Sequence, residues 1–278
     1  MEGWTGAFDD AVKHAMRWVK DRGDLIFDPV RAVLETLFNG LTAGVLALPF
    51  WVVAIAAGLL AWRSLGRLPA IATAAGLLFC RAIGLWTATV ETLALVIVSV
   101  LLAVAIGVPL GIAAGYRAGL GRAVEPVLDL IQTLPPYIYL LPSIAFLGYG
   151  PATAIAATCI TAIPPVIRLT AHGFRMTPVA FVELGEATGA RPFDAFRKIR
   201  LPFAMPGIMA GINQSLMMAF GMVVIAGIVG SGGLGETIYG AVRTLDIELS
   251  VDAAIAIVIL TIIIDRISQA AAAGRGRR

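Results

Sequence analysis

The sequence predicts an all-α, polytopic membrane protein, because 59% of its 278 residues are hydrophobic, only 14% are charged and the mean hydropathy is +0.88. A water-soluble domain of this length would need far more polar surface. Hydrocarbon about 30 Å thick demands roughly 20 apolar residues per helix. Polar punctuation divides the chain into seven such runs: 44–62, 69–86, 88–115, 124–147, 152–171, 205–229 and 250–267.

Residues 1–43 come first and are polar, with Asp9, Asp10, Lys13, Arg17, Lys20, Asp21 and Asp24 among them. No basic stretch leads straight into an apolar stretch with a small-residue cleavage site, so a cleaved signal peptide is not expected. From Val30 to Phe38 the apolar residues Val33, Leu34, Leu37 and Phe38 recur at helical spacing. That pattern predicts an amphipathic helix feeding the first run. The chain then divides into an extracytoplasmic polar segment (1–43), two accessory spans (44–87), a core of spans (88–269) and a basic cytoplasmic tail (270–278). Gly274 to Arg278 in that tail suits either contact with anionic lipid or the ordinary excess of inside arginines.

The second run is short and carries Arg81, and the last has Asp252 and Asp265 at its ends. Glu91 sits a few residues into the long third run, where a charge is costly. It should therefore face protein, a wet cavity or Arg81. Gly107, Gly111 and Gly115 repeat every fourth residue, as do Gly207 and Gly211, and each set allows a neighbouring helix to come close. Pro135, Pro136, Pro164 and Pro165 remove backbone donors inside apolar runs, which predicts either broken helices along a path or packing kinks.

With the C-terminus inside, 14 of the 21 basic residues fall on the cytoplasmic side, which favours an N-terminus outside and a C-terminus inside. The loop before the sixth run is then cytoplasmic. Phe181 to Ile208, FVELGEATGARPFDAFRKIRLPFAMPGI, reads as a short helix, a turn around Gly189 to Pro192, a second amphipathic segment and a proline opening a new span. Its apolar teeth, Leu184, Ala187 and Phe193, suit a groove on a partner.

Catalysis finds little support. The chain has three lysines and none precedes Ser or Thr, so a P-loop is excluded and any ATP and Mg must sit on a partner. Gly230-Ser-Gly232-Gly233-Leu-Gly235 spells G-x-G-x-x-G but follows a span rather than a strand, so it is expected to be an external turn or cap. His14 and His172 have no ligand-spaced neighbours that would make a metal site. Cys80 and Cys159 lie within apolar runs and read as small buried hydrophobes. Asn213-Gln-Ser215 matches a glycosylation triplet inside a run no modifying enzyme reaches.

The cytoplasmic loop resembles the signature loop of importer permeases of the ATP-binding-cassette class: Glu-Ala-Ala, three residues, Gly, nine residues, Ile-x-Leu-Pro. Glu183, Gly189, Ile199, Leu201 and Pro202 take the matching places, while Leu184 and Gly185 replace the two alanines. The runs EPVLDLIQTLPPYIYLLP, LPFAMPGIMAGINQSLMMAFGMVVIAGIVGSGGLG and IVILTIIIDRISQ are similar to the glycine betaine/proline permeases, over roughly two thirds of the chain (about 88–269).

The resemblance implies an all-α importer-permease fold with a cytoplasmic coupling helix, in a bacterial inner membrane. The permease would form a homodimer with two ATPase subunits and an extracytoplasmic substrate-binding protein. Glu183, Leu184, Gly185, Glu186, Ala187, Gly189, Ala190 and Arg191, with Ile199, Leu201 and Pro202, would then couple to the ATPase. Pro135, Pro136, Tyr137, Tyr139, Asn213, Met217 and Met218 would line the path or simply pack. Gly232, Gly233 and Gly235 would lie at the outer gate or docking face. Two alternatives keep the membrane architecture: another small amino-acid-like cargo, or a carrier without an ATPase.

Overall fold

The computed structural model describes the backbone of residues 2–275 and the side chains of residues 25–270, with those of Asp10 and Gly23. The side chains of the basic tail after Ala270 and most of those before Leu25 lie outside the described residues.

Every regular element among the described residues is helical: α1 (Glu2–Leu46), α2 (Phe50–Leu65), α3 (Arg67–Ala82), α4 (Trp86–Tyr116), α5 (Ala118–Thr133), α6 (Leu140–Leu147), α7 (Pro151–Arg175), α8 (Val179–Ala187), α9 (Pro192–Ala195), α10 (Leu201–Ala226), α11 (Gly233–Thr244) and α12 (Ile247–Arg275). A 3-10 turn (Pro136–Tyr139) precedes α6, and a π turn (Phe196–Arg200) joins α9 to α10.

Four stretches are long and apolar enough to cross a membrane: Trp86–Tyr116, Pro151–Arg175, Pro192–Val229 and Ile247–Ala270. Two bent pairs raise the count to six: Leu25–Leu46 with Phe50–Leu65 at 99°, and Ala118–Thr133 with Pro136–Leu147 at 105°. By length and composition, four to six spans are identified and the expected seven are not specifically shown. Run 44–62 straddles a corner, where Pro49 has φ −54° and ψ 138° and cannot continue a helix. Run 69–86 ends at Ala82, and the 16 residues of α3 reach only about 24 Å, short of the hydrocarbon thickness. Run 124–147 breaks where Leu134 and Pro135 are extended, with ψ 139° and 131°.

At the centre lies α7, with 72% of its most apolar stretch buried, against 22% for α12 at the periphery. The glycine rows account for that position. A side-chain carbon on Gly107, Gly111 or Gly115 of α4 would come within 2.8 Å of Val166, 2.6 Å of Thr170 or 2.8 Å of Phe174 on α7. From the other side, one on Gly207 of α10 would lie 2.7 Å from the Leu169 carbonyl and 3.1 Å from Gly173 Cα. Both neighbours thus approach α7 nearly backbone to backbone. Pro164 and Pro165 are buried in this helix, which runs through them without a break, so the broken-helix expectation is corrected there. Tight packing on both sides keeps the helix regular past its missing donors.

The main apolar cluster joins Leu34 and Phe38 of α1, Leu95 of α4, Leu147 of α6, Ile155 of α7 and Phe220 of α10. Phe27 stacks on Phe146 at 4.6 Å, tying α1 to α6, so the second half of α1 seats in the bundle. Cys80 and Cys159 are buried in two separate smaller clusters.

Replacing Gly207 by Ala should lower stability by about 1–3 kcal/mol through overpacking against backbone. Gly119→Ala, where a side chain meets nothing within 4 Å, should cost nothing. Thermal unfolding of the detergent-solubilised protein distinguishes the two.

Candidate functional site

Three regions gather the residues singled out in the sequence. The first is the loop between α7 and α10. Pro178, extended at ψ 131°, opens α8, and a Schellman arrangement closes it: Gly189 N–H donates to the Glu186 carbonyl at 3.0 Å and Ala190 N–H to the Gly185 carbonyl at 2.9 Å. Gly189 carries the left-handed φ of +69° that this stop requires. Pro192 then starts α9, and Asp194 pairs with Lys198 at 2.8 Å.

The loop residues divide into two sets. Gly185 is buried, and a methyl there would lie 2.7 Å from Ile199 Cδ1. Ile199 Cδ1 thus packs directly on the Gly185 backbone. Phe181 packs on Phe203 at 5.0 Å, fixing α8 to α10, and Phe196 stacks on Phe174 of α7 at 5.9 Å. Arg200 lies 4.7 Å over the Tyr116 ring at the end of α4. Glu183, Glu186, Ala187, Gly189, Ala190, Arg191 and Pro202 are exposed, while Ile199 and Leu201 are half-buried. Leu184 is 58% exposed and Phe193 69%. The loop thus presents large apolar side chains on a rigid, internally seated base, a combination suited to a partner's groove.

The second region is the break between α5 and α6. Pro136 begins the 3-10 turn, and the Tyr139 hydroxyl donates back to the Ile131 carbonyl at 2.9 Å, bridging the corner. The turn packs against α7 and α10. On α10, Met217 and Met218 are exposed, whereas Asn213 Oδ1 and Ser215 Oγ are buried without a hydrogen-bond partner among the described residues. Such atoms are uncommon and mark a place where polar contacts remain to be made. Tyr137, 56% exposed, is likewise unburied.

The third region is the glycine-rich turn after α10. Gly230 (φ +67°), Gly232 (+78°) and Gly233 (+77°) take conformations that L side chains avoid. Their turn aims the first amides of α11 at α4: Gly233 N–H donates to Glu91 Oε2 at 2.7 Å and Leu234 N–H to Thr92 Oγ1 at 2.8 Å. Glu236 accepts from Gly232 N–H at 2.7 Å. A carboxylate and a hydroxyl on one helix thus cap another helix 142 residues away in sequence. Of the alternatives for Glu91, both protein contact and an open cavity are realised, and Arg81 is not its partner. Arg81 instead stands 5.1 Å over the Phe50 ring. A side-chain carbon on Gly235 would overlap the Val223 carbonyl of α10, so this end of α11 sits hard against that helix. An open cavity of about 480 Å³ lies beside the cap, with Glu91, Glu236, Thr237 and Gly240 in its wall.

Sequence reasoning missed Thr92, the helix α11 and the polar cluster on Arg168. Arg168 lies 2.9 Å from Glu125 Oε1 and also reaches Asp129 and Gln132 of α5. The spacing of those three residues, four and then three apart, places them on one helix face and was the available clue. Among the described residues no three His, Cys, Asp or Glu side chains group as a metal site.

Comparison with known proteins adds four findings. Residues 107–275 match the family described as the binding-protein-dependent transport system inner membrane component. The glycine betaine transport system permease protein OpuAB of Bacillus subtilis is 39% identical over 260 residues, which is 94% of this chain and 92% of that one. The glycine betaine/proline betaine transport system permease protein ProW of Escherichia coli is 37% identical over 262 residues, 94% of this chain and 74% of its own. Among solved structures, an inward-facing form of the MetNI methionine ABC transporter matches with a TM-score of 0.62 and 25% identity. That match covers 69% of this chain and 95% of the other.

Glu91→Ala removes an acceptor from a buried amide, a loss of about 1–3 kcal/mol. Hydrogen exchange at Gly233 and Leu234 should accelerate, while amides in the middle of α7 should keep their protection.

Proposed function

The chain belongs to the binding-protein-dependent transport system inner membrane components, and from that premise we propose that it is the permease of an ATP-binding-cassette importer for glycine betaine/proline-type compatible solutes. The observation that carries the cargo class is the 39% identity to a glycine betaine permease across 94% of this chain. The family match to importer permeases and the fold shared with the methionine transporter support the importer role. The chain supplies a route for solute and no catalytic site of its own.

ATP and Mg act on a separate ATPase subunit. Two permeases, two ATPases and an extracytoplasmic binding protein make the working assembly. In this reading α8 is the coupling helix. Leu184 and Phe193 enter the ATPase groove, Glu183, Glu186 and Arg191 fix the register at its rim, and Gly189 ends the helix so that it projects as one piece. Gly185, Ile199 and Leu201 serve from beneath by holding that helix to the start of α10. ATP binding would move this unit and shift the bundle between inward-open and outward-open packings.

The solute path runs beside the corner of Pro135 and Pro136, with Tyr137, Tyr139, Met217 and Met218 as apolar and aromatic lining. Asn213 contributes an unpaired carbonyl oxygen. A quaternary ammonium has no hydrogen bond to give, and aromatic faces attract it through cation–π contact. Gly232, Gly233 and Gly235 shape the outer end, and the C-terminus shares the ATPase side of the bacterial inner membrane, with the N-terminus outside. The identity to a methionine transporter favours a second cargo, another small amino-acid-like solute, within the same architecture.

The test is the ATPase rate of the reconstituted permease–ATPase complex with its binding protein. Glycine betaine should raise the rate severalfold in wild type, and Leu184→Glu should abolish the rise while the permease itself stays folded. An active wild-type complex that ignores betaine overturns the cargo and leaves the importer standing. Full betaine stimulation in Leu184→Glu overturns the coupling assignment.

A further inference from the structure

Between α3 and α12 the surface holds a cleft of about 440 Å³, lined by Leu65, Pro69, Gly76, Ile259, Ile262 and Arg266 among others. Its shape follows from the sequence. The two helices meet at Gly76, where a side-chain carbon would lie 2.6 Å from Ile259 Cγ2, and the cleft runs from there to Leu65 at the end of α2 and Arg266 on α12. Ile259 stands 7 residues from Arg266, so along α12 the cleft extends over roughly 10 Å. Its walls are apolar and face outward, with Ile262 54% exposed.

Arg266 closes the end away from Gly76, and Arg63 and Arg67, at the end of α2 and the start of α3, flank Leu65 there. All three are exposed, and none makes an ion pair with a described residue. In the proposed membrane placement α12 lies at the periphery, with 22% of its most apolar stretch buried, so an empty cleft on its outer face would be filled from the bilayer. An apolar slot with Arg266 in its wall, and with Arg63 and Arg67 each two residues from the lining residue Leu65, matches one ligand chemistry: a fatty-acyl chain below an anionic headgroup.

We propose that the α3–α12 cleft is a binding site for an anionic phospholipid, with one acyl chain against Thr73, Gly76 and Ile259 and the phosphate held by Arg266 with Arg63 and Arg67. Guanidinium groups favour phosphate through paired donors. Each arginine beside an anionic headgroup contributes about fivefold in binding, the factor corresponding to ~1 kcal/mol.

Native mass spectrometry of the purified permease–ATPase complex, delipidated and mixed with equal phosphatidylglycerol and phosphatidylcholine of identical chains, tests this. Wild type should retain phosphatidylglycerol in preference. Arg266→Gln should lower its occupancy about fivefold. Ala72→Trp, which fills the slot, should abolish it, and Arg122→Gln on α5 should change nothing. Equal retention of the two lipids overturns the proposal. So does a loss in Arg122→Gln as large as in Arg266→Gln, which would mark diffuse surface attraction. Retention in an assembled Ala72→Trp complex also overturns it. If Ala72→Trp instead separates two permeases, the cleft is a subunit interface and the lipid assignment falls. If that variant fails to fold, Arg266→Gln decides alone.

Discussion

The close seating of α7 between α4 and α10 is the constraint on which the rest of the structure depends. Apolar side chains gain little by leaving lipid for protein, so helices in a bilayer are held by contact area and by polar groups that find partners. Glycine rows on both neighbours bring backbone within reach of Val166, Thr170 and Leu169, and α7 becomes the common wall of two helix pairs. The polar residues then fall into place around it. Arg168 collects the carboxylates of α5, Arg175 donates to the Ala114 carbonyl at 3.0 Å, and Phe174 meets both Tyr116 and Phe196. The corner at Pro135, which leaves backbone groups unpaired, is tolerable because α7 and α10 cover it.

The two ends of the bundle are finished by different chemistry. At the end carrying α8, left-handed glycine geometry satisfies the last carbonyls locally, and aromatic packing fixes the base. At the end carrying α11, the first amides are satisfied by side chains from another helix, Glu91 and Thr92. The local stop lets α8 end without help from another helix, while Phe181 on Phe203 ties its base to α10; the cross-helix cap makes the start of α11 dependent on the position of α4.

Hydropathy alone made the all-α membrane class legible, along with four of the spans, because long uniform apolar runs have few other solutions. The α8 turn and its stop were legible too, since Gly189 and Pro192 limit the backbone to few conformations. The errors have a common cause: residue composition does not say where a helix bends. Run 44–62 and run 124–147 looked continuous because Pro49 and Pro135 sit among apolar neighbours, yet Pro164 and Pro165, equally apolar in setting, leave α7 unbroken. What separates them is the neighbouring backbone, and that is tertiary information. Likewise α11 escaped notice because its N-terminus opens on glycines and its cap comes from another helix, so no local cap residue announces it. The inward position of Gly185 was equally hidden, since it shows only in the approach of Ile199 from the start of the next span.

The helical stretch from Pro192 to Val229 runs over 38 residues, through a π turn near its start and a 3-10 turn at its end, and is about 57 Å long, nearly twice the hydrocarbon thickness. Its first turn carries Phe193 and its last leads into Gly230. Geometry then fixes the mechanical gain: a rotation of about 10° around the α7 contact near mid-length moves the two tips in opposite directions by roughly 5 Å each. A displacement of a side chain's width at one membrane surface is thereby returned, inverted, at the other.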